Sequence, residues 1–213
     1  MAEGNKDADK RSLLYEICRR IVWLLFHTLL PVRYDHPERL QGDAPFILIG
    51  NHLSLLDPVV AALAVPRYQV HFLAKKELAK VAPFRWFLRK IHTIFVDRHN
   101  SDMEAMRACM KVTRNGGVLG IFPEGTRHHQ GLMEELESGV ALMALRSGVP
   151  LIPVYIPGKL RLFRPLNVMI GEPIPMDDLR AEGVNAQTCQ QLLARITETY
   201  AQMDEAKKKI KKA

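Results

Sequence analysis

A histidine and an aspartate, His52 and Asp57, lie five positions apart in the segment NHLSLLDP, which follows the apolar run FILIG. An imidazole can take up and return a proton near neutral pH, and a carboxylate bonded to one ring nitrogen fixes the other as the proton acceptor. The same two residues also suit a simpler arrangement, a helix cap beside a loop histidine. The spacing therefore indicates either a general base oriented by an acid or an ordinary helix start.

The chain between the two side chains must turn for them to meet. Positions five apart on a regular helix differ by about 140° around the axis and so share no face. Two turns fit the sequence: a capping box of Ser54 with Asp57, or Asp57 as the cap with Pro58 as the first helical residue. In both, we expect Asp57 to reach Nδ1 of His52.

A second polar stretch, FPEGTR at 122–127, follows the apolar run VLGIF. Gly125 permits backbone conformations that direct successive amides into one concavity, and Arg127 carries a planar fork suited to phosphate oxygens. A purely structural loop needs the proline and the glycine but not Glu124 and Arg127 beside them. The stretch therefore indicates an anion-binding loop.

Short apolar runs alternate with helical patterns along most of the chain. Capping and periodicity predict one helix over 101–115, with Gly116 as its stop, and another from Asn185. This alternation predicts an α/β fold with a mixed, largely parallel central sheet and helices on both faces, a fold that binds ligands beyond the ends of its strands. The predicted strands are 46–50, 70–74, 93–96, 118–122, 151–156 and 167–171.

Size and composition indicate one ordinary globular domain. The chain has 213 residues, of which 47% are hydrophobic and 25% charged. Its three cysteines are odd in number and scattered, which is typical of a protein from a reducing cytoplasm rather than of a disulfide framework. We divide the chain into a tail, leading helix and polar connector over 1–40 and a domain over 41–213.

The leading helix is amphipathic and too short to cross a bilayer. Its longest uninterrupted apolar stretch, 21–26, is far below the ~20 residues that a spanning helix needs. Arg19 and Arg20 flank the apolar face, and Trp23 and Phe26 lie near its end. The pattern favours a helix in the lipid headgroup region over one packed on the domain's own core.

The net charge of +7 is mostly local, since the segment KKKIKK at 207–212 contributes five lysines. Such a segment either extends a helix into solvent or adds attraction to anionic lipid. We expect neither a secretory signal peptide before the leading helix nor a nucleic-acid partner.

The two polar stretches, with VDR at 96–98 and VPLIPVYIPG at 149–158, resemble the four ordered blocks of the glycerolipid acyltransferases. Within that family the chain is similar to the bacterial 1-acyl-sn-glycerol-3-phosphate acyltransferases from about residue 40 to 175. The combination of H-x-x-x-x-D with FPEGTR about seventy residues later is highly specific.

The resemblance implies transfer of a fatty acyl group from acyl-CoA or acyl-carrier protein to the 2-hydroxyl of a lysophosphatidate. It implies no metal or bound cofactor, and a peripheral or monotopic position on the anionic cytoplasmic face of the cell membrane. His52 is then the catalytic base and Asp57 orients it. The implied substrate-binding residues are Lys75, Arg98, Glu124, Gly125, Thr126 and Arg127.

Two other mechanisms are less compatible with the residues. An acyl-enzyme on Ser54 lacks the G-x-S-x-G elbow, and the family transfers directly between bound substrates. A metal site of His52 with His128 and His129 lacks an H-E-x-x-H helix.

The chain departs from the family pattern at two places. Glu137 stands two residues before Gly139, where many relatives have a lysine, and His128 and His129 replace small polar residues. An acid at that position leaves open a different acceptor, such as glycerol 3-phosphate or another lysolipid. A non-catalytic phospholipid-binding module is the alternative from another functional class.

Overall fold

A seven-stranded sheet forms the centre of the protein, in the order β1-β7-β6-β2-β5-β3-β4. The computed structural model describes residues 13–80, 82–96, 103–125, 132–133 and 135–212. The strands are β1 (Val32–Asp35), β2 (Phe46–Gly50), β3 (Val70–Lys75), β4 (Ile94–Val96), β5 (Val118–Ile121), β6 (Leu151–Tyr155) and β7 (Leu166–Ile170).

Five neighbouring strands, β6, β2, β5, β3 and β4, run parallel to one another. At one edge β7 pairs antiparallel with β6, and β1 runs parallel to β7. Every residue of β2 is buried, as expected for a central strand covered on both faces. The predicted mixed, largely parallel sheet is confirmed.

Helices cover both faces of the sheet. One face packs against the long amphipathic helices of the second half of the chain, and the other against α1 and α2. The helices are α1 (Leu13–Thr28), α2 (Asp57–Leu63), α3 (Ala82–Lys90), α4 (Met103–Arg114), α5 (Ser138–Ser147), α6 (Asp177–Ala181) and α7 (Ala186–Lys212), with short 3-10 helices at Pro37–Leu40 and Lys76–Lys80.

The six predicted strands are present within a residue or two of the expected ends. The prediction of a polar connector after the leading helix was wrong at its start. Residues 32–35 form β1, which pairs with β7 from Val32↔Leu166 onwards. Further along, Leu40 is fully buried among core side chains. The strand is short and polar at every second position, and its partner β7 lies far away in the sequence, so nothing local distinguished it from a connector.

The leading helix α1 divides its side chains between the core and solvent. Tyr15 and Phe26 are buried, and Phe26 packs in the same core cluster as Val60 of α2, so the helix rests partly on the domain's own core. The outer face is apolar and exposed, with Leu13, Ile17, Ile21 and Leu24 recurring every three or four residues. None of the helices in the described part of the chain is long and apolar enough to cross a membrane.

The C-terminal helix α7 begins where the sequence predicted. Asn185 and Thr188 cap it reciprocally, with Thr188 N–H donating to Asn185 Oδ1 at 3.0 Å and Asn185 N–H to Thr188 Oγ1 at 3.0 Å. The helix continues through the lysine segment to Lys212. Lys207 forms an ion pair with Asp35 of β1 at 2.6 Å.

Candidate active site

The predicted site residues follow the carboxyl ends of adjacent parallel strands. His52 comes after β2, Glu124 after β5, and Lys75 ends β3. The registers Ile49↔Ile121 and Gly50↔Val154 bring the ends of β2, β5 and β6 side by side. This edge of a parallel sheet is where α/β proteins bind ligands.

The predicted contact between imidazole and carboxylate is present. His52 Nδ1 lies 3.1 Å from Asp57 Oδ2, and the side chains are 18% and 3% exposed. Asp57 is therefore shielded from water, whereas the imidazole keeps access to solvent or substrate. Because Nδ1–H donates a hydrogen bond to Asp57, Nε2 is the ring nitrogen that is free to take up a proton.

The turn between the two residues is held by the same carboxylate. Asp57 Oδ2 also accepts the backbone N–H groups of Leu53 and Ser54, at 2.5 and 2.6 Å. The second bond is one half of the predicted capping box, while Ser54 Oγ accepts the N–H of Leu56 at 3.2 Å. Asp57 thus fixes the turn and the ring together, and its own position is set by Pro58 in the first turn of α2.

Glu124 joins the two polar stretches. Its carboxylate is buried at 6% exposure, and Oε2 accepts the backbone N–H of His52 at 2.7 Å. Its other oxygen, Oε1, accepts the N–H of Met133 at 3.1 Å. Glu124 therefore acts on the backbone that carries the imidazole, and it is a positioning residue in this geometry.

Met133 and Thr197 support that carboxylate and were not predicted from the sequence. Met133 is fully buried with a positive φ of 55°, and its carbonyl accepts the hydroxyl of Thr197 on α7 at 3.0 Å. The only signal was Thr197 itself, a polar residue next to Ile196 on the apolar stripe of a predicted helix. Its partner lies 64 positions away and could not be inferred from local spacing.

An aromatic stack packs beside the imidazole. The ring of Phe122 lies 4.7 Å from that of His52 and 5.8 Å from that of Phe72, centroid to centroid. Gly50 makes room for it, since a Cβ at that position would lie 2.9 Å from the Phe122 ring. The last residue of β2 thus allows the first residue after β5 to cover one side of the imidazole.

Buried polar groups tie the neighbouring strand ends together. Asn51 donates its amide to the carbonyl of Ile156 at 2.8 Å and accepts the Ile156 N–H at 2.7 Å, joining the ends of β2 and β6. Tyr200 of α7 donates its hydroxyl to the carbonyl of Ile49. Burial, with a further contribution from the charge of Glu124, raises the pKa of Tyr200 well above its usual range, so the hydroxyl stays a donor.

The structure brings together only part of the predicted anion-binding set. Gly125 has a positive φ of 64°, and its N–H donates to the carbonyl of Phe122 at 3.2 Å, forming a tight turn that favours glycine. Lys75 ends β3 at the same edge. Thr126, Arg127, Arg98, His128 and His129 lie outside the described residues.

Glu137, the acid that differs from the family pattern, lies next to the FPEGTR loop. Its N–H donates to the carbonyl of Pro123 at 2.9 Å, and its exposed side chain precedes α5. The alignment of this position with the family pattern is therefore compatible with the fold, because Glu137 adjoins the residue before Glu124.

The acyl-enzyme mechanism gains nothing from the geometry, whereas the alternative metal site includes His128 and His129, which lie outside the described residues. Within the described ranges, no hydrogen bond joins Ser54 Oγ to the His52 ring, and Ser54 serves the turn instead. In that same part of the chain, no cluster of three or more histidine, cysteine, aspartate or glutamate side chains could hold a metal ion.

Comparison with known proteins gives a consistent result. Residues 31–157 match the family described as Acyltransferase. A 1-acyl-sn-glycerol-3-phosphate acyltransferase of Bacillus subtilis is 29% identical over 170 residues, 78% of this chain and 84% of that protein. One from Streptococcus pneumoniae is 27% identical over 213 residues, 96% of this chain and 78% of that protein.

A solved structure has the same fold. The crystal structure of the 1-acyl-sn-glycerophosphate (LPA) acyltransferase PlsC from Thermotoga maritima aligns with a TM-score of 0.63 and 25% identity. The alignment covers 92% of this chain and 80% of that one.

Proposed function

The chain belongs to the acyltransferase family, and we propose that it transfers a fatty acyl group to the 2-hydroxyl of 1-acyl-sn-glycerol-3-phosphate, giving phosphatidate. The observation that carries the proposal is the hydrogen bond between His52 Nδ1 and Asp57 Oδ2 at the carboxyl edge of the parallel strands. It supplies a base with a fixed tautomer at the edge where an α/β protein binds its substrate.

The reaction needs one proton to move twice. His52 Nε2 takes the proton of the acceptor hydroxyl as its oxygen attacks the thioester carbonyl, and Asp57 stabilises the imidazolium that forms. The tetrahedral intermediate then collapses with cleavage of the carbon–sulfur bond. The imidazolium returns the proton to the departing thiolate, so the enzyme ends as it began and no acyl-enzyme is formed.

The phosphate of the acceptor binds, in this proposal, to the cations that the family pattern assigns. In the sequence, Arg127 and Arg98 come after β5 and β4, and Lys75 is the last residue of β3. Glu124 and Gly125 shape the loop between them. No metal or bound cofactor enters the proposed reaction, which uses the acyl donor as its co-substrate.

A basic cleft beside this edge suits the acyl donor. It has a volume of about 330 Å³ and is lined by Lys76, Glu77, Ala79, Lys80 and Arg85, directly after the end of β3. The lining has three cations and one acid. This excess of positive charge complements the phosphates of acyl-CoA and equally the acidic surface of an acyl-carrier protein. Reversing the charge of both cations with Lys80→Glu and Arg85→Glu should raise the KM for the acyl donor. The KM for the acceptor should stay unchanged.

The outer face of α1 supports a position on an anionic membrane surface. Leu13, Ile17, Ile21 and Leu24 are exposed by 47 to 79%, which is costly in water and favourable at a lipid interface. Because Phe26 belongs to the core, deleting α1 would also unfold part of the domain. Ile17→Ser with Ile21→Ser is the cleaner change, and it should weaken binding to phosphatidylglycerol-containing vesicles at unchanged thermal stability.

Release of free CoA thiol on mixing acyl-CoA with lysophosphatidate tests the reaction. We expect release in the native protein and a loss of about 10²- to 10⁴-fold in His52→Ala. Normal turnover in that variant would remove the mechanism, and no release from the native protein with either acyl-CoA or acyl-carrier protein would favour a phospholipid-binding module.

The acceptor is tested in the same assay. We expect lysophosphatidate to be used in preference to glycerol 3-phosphate, as the names of the relatives indicate. Glu137 beside Pro123 is the one observation that favours another acceptor, because an exposed acid adjoins the proposed phosphate site. A preference for glycerol 3-phosphate, or for a lysolipid without a free phosphate, would replace the first candidate.

A further inference from the structure

A hairpin between β6 and β7 exposes two large apolar side chains at its tip. Leu162 is 60% and Phe163 is 67% exposed, and the flanking Arg161 and Arg164 pair across the hairpin as an isolated antiparallel bridge. We call residues 159–164 the tip hairpin. A folded domain gains nothing from such side chains in water, so the tip hairpin is built to contact something.

The backbone at the tip is held in an unfavourable conformation. Phe163 has a positive φ of 56°, which is rare for a bulky side chain and is maintained only where other contacts enforce it. The enforcing contact is the Phe163 N–H, which donates to the carbonyl of Leu29 at 2.8 Å, just beyond the end of α1. The exposed tip is thus fastened to the helix whose outer face is also apolar.

The tip hairpin, α1 and the turn before α2 lie on the same face of the sheet. Leu160 packs against the core cluster that contains Phe26 of α1 and Val60 of α2. Most large apolar side chains that are exposed in the described residues belong to these three segments: Leu13, Ile17, Ile21, Trp23, Leu24, Leu25, Leu29, Leu55, Leu56, Leu162 and Phe163. On the opposite face, the described side chains of α5, α6 and α7 include no comparable exposed group, and α4 exposes Met103.

The charges around the tip identify the partner as an anionic surface. Lys159, Arg161 and Arg164 are all exposed, and no acidic side chain in the described part of the chain forms an ion pair with them. Apolar groups at a tip with cations around its base match the layering of a bilayer, with acyl chains below anionic headgroups.

We propose that the tip hairpin inserts Leu162 and Phe163 into an anionic bilayer, as a second membrane contact beside α1. The inference deepens the proposed function, because a lysolipid acceptor must reach His52 from a membrane. Between β6 and the tip hairpin, the backbone of Ile156 is bonded to Asn51, the neighbour of His52. Docking at α1 and at the tip therefore turns the rim of the site, including exposed Leu55 and Leu56, towards the lipid surface.

Co-sedimentation of the full chain with vesicles tests the insertion. The probes are phosphatidylcholine–phosphatidylglycerol vesicles and pure phosphatidylcholine vesicles. We expect Leu162→Ser with Phe163→Ser to weaken partitioning to the mixed vesicles by roughly tenfold or more. Burial of one large apolar side chain in lipid strengthens binding by about that factor. Arg161→Glu with Arg164→Glu should weaken binding to the mixed vesicles far more than to the neutral ones.

Val184→Ser is the matched control, since Val184 is 37% exposed in the loop between α6 and α7. It should bind vesicles as the native protein does, and all variants should keep the native melting temperature. Native-like vesicle binding by the Leu162/Phe163 variant would overturn the proposal. So would loss of self-association or of a protein contact in that variant with vesicle binding intact.

A label at the tip provides a second, direct readout. With Cys18 and Cys189 replaced by serine, an environment-sensitive fluorophore on Leu162→Cys should shift to the blue with mixed vesicles and be quenched by nitroxide lipid. The same label on Val184→Cys should not. A label at 162 that stays in water while the protein is vesicle-bound would contradict insertion.

The outcome is separable from the proposed reaction. His52→Ala abolishes transfer in our proposal but leaves the tip unchanged, so it should bind vesicles normally. Failure of acyl transfer with tip-dependent vesicle binding intact would refute the function and leave the membrane contact standing, whereas transfer with tip-independent binding would do the opposite.

Discussion

The two polar stretches of the site are built in different ways. In the turn 51–57, the imidazole, the carboxylate and the backbone bonds that fix them all lie within a few residues. In the loop 122–125, the decisive residue Glu124 bonds to His52, 72 positions away, and to Met133, which Thr197 holds from α7. The reacting pair is thus encoded locally, while its position relative to the substrate depends on contacts between distant segments.

Asp57→Asn is the strongest way to sharpen this contrast after removal of the imidazole. If the amide N–H₂ group takes the place of Oδ2, it donates to Nδ1, which favours the wrong tautomer, and it opposes the backbone N–H groups of Leu53 and Ser54. We expect kcat to fall by about 10²-fold or more, with KM for the acceptor little changed. Steady-state kinetics with lysophosphatidate checks this, and a variant that loses affinity but keeps kcat would assign Asp57 to binding.

Glu124→Gln tests the distant contacts. The amide keeps one acceptor oxygen and places donors against the N–H of either His52 or Met133, so one bond to a buried charge is lost. We expect kcat to fall by roughly tenfold and the protein to lose about 1.5–3 kcal/mol of stability. Thr197→Val is the control for the outer part of the network and should show the same direction with a smaller loss of activity.

If Glu124→Gln lowered only the affinity for acceptor, with kcat and melting temperature unchanged, Glu124 would be a substrate ligand rather than a positioning residue.

Gly50→Ala tests the aromatic packing between the two stretches. The added Cβ would lie 2.9 Å from the Phe122 ring, which must shift away from His52. We expect a few-fold lower kcat and a loss of about 1–3 kcal/mol of stability, as is typical of overpacking. Adding Phe122→Leu should restore part of the stability, and a fully native single variant would show that the stack has no influence on the ring.

Glu137→Lys is the variant with the smallest expected effect. Its backbone adjoins Pro123, and replacing an exposed acid by a cation near a bound phosphate should lower the KM for a phosphate-bearing acceptor by a few-fold. The effect should weaken with added salt. A rise in KM for lysophosphatidate would show that Glu137 faces another part of the acceptor.

The same contrast explains how much was predictable from the sequence. The strands and the His52–Asp57 contact were predicted because burial and turn chemistry leave local patterns such as FILIG and the capping box. The strand Val32–Asp35 was missed because its partner β7 lies far away in the sequence. Met133 and Thr197 were missed for the same reason. The burial of Phe26 was not predicted, because a helix that is apolar on more than one side does not reveal which side contacts the core.

A double-mutant cycle on His52 and Asp57 tests the central claim most directly. The observable is kcat/KM for thiol release with lysophosphatidate in His52→Ala, Asp57→Ala and the double variant. If Asp57 acts through the imidazole, the double variant should be no slower than His52→Ala, because the two side chains work as one unit. Losses that multiply in the double variant, or near-native turnover in His52→Ala, would contradict it.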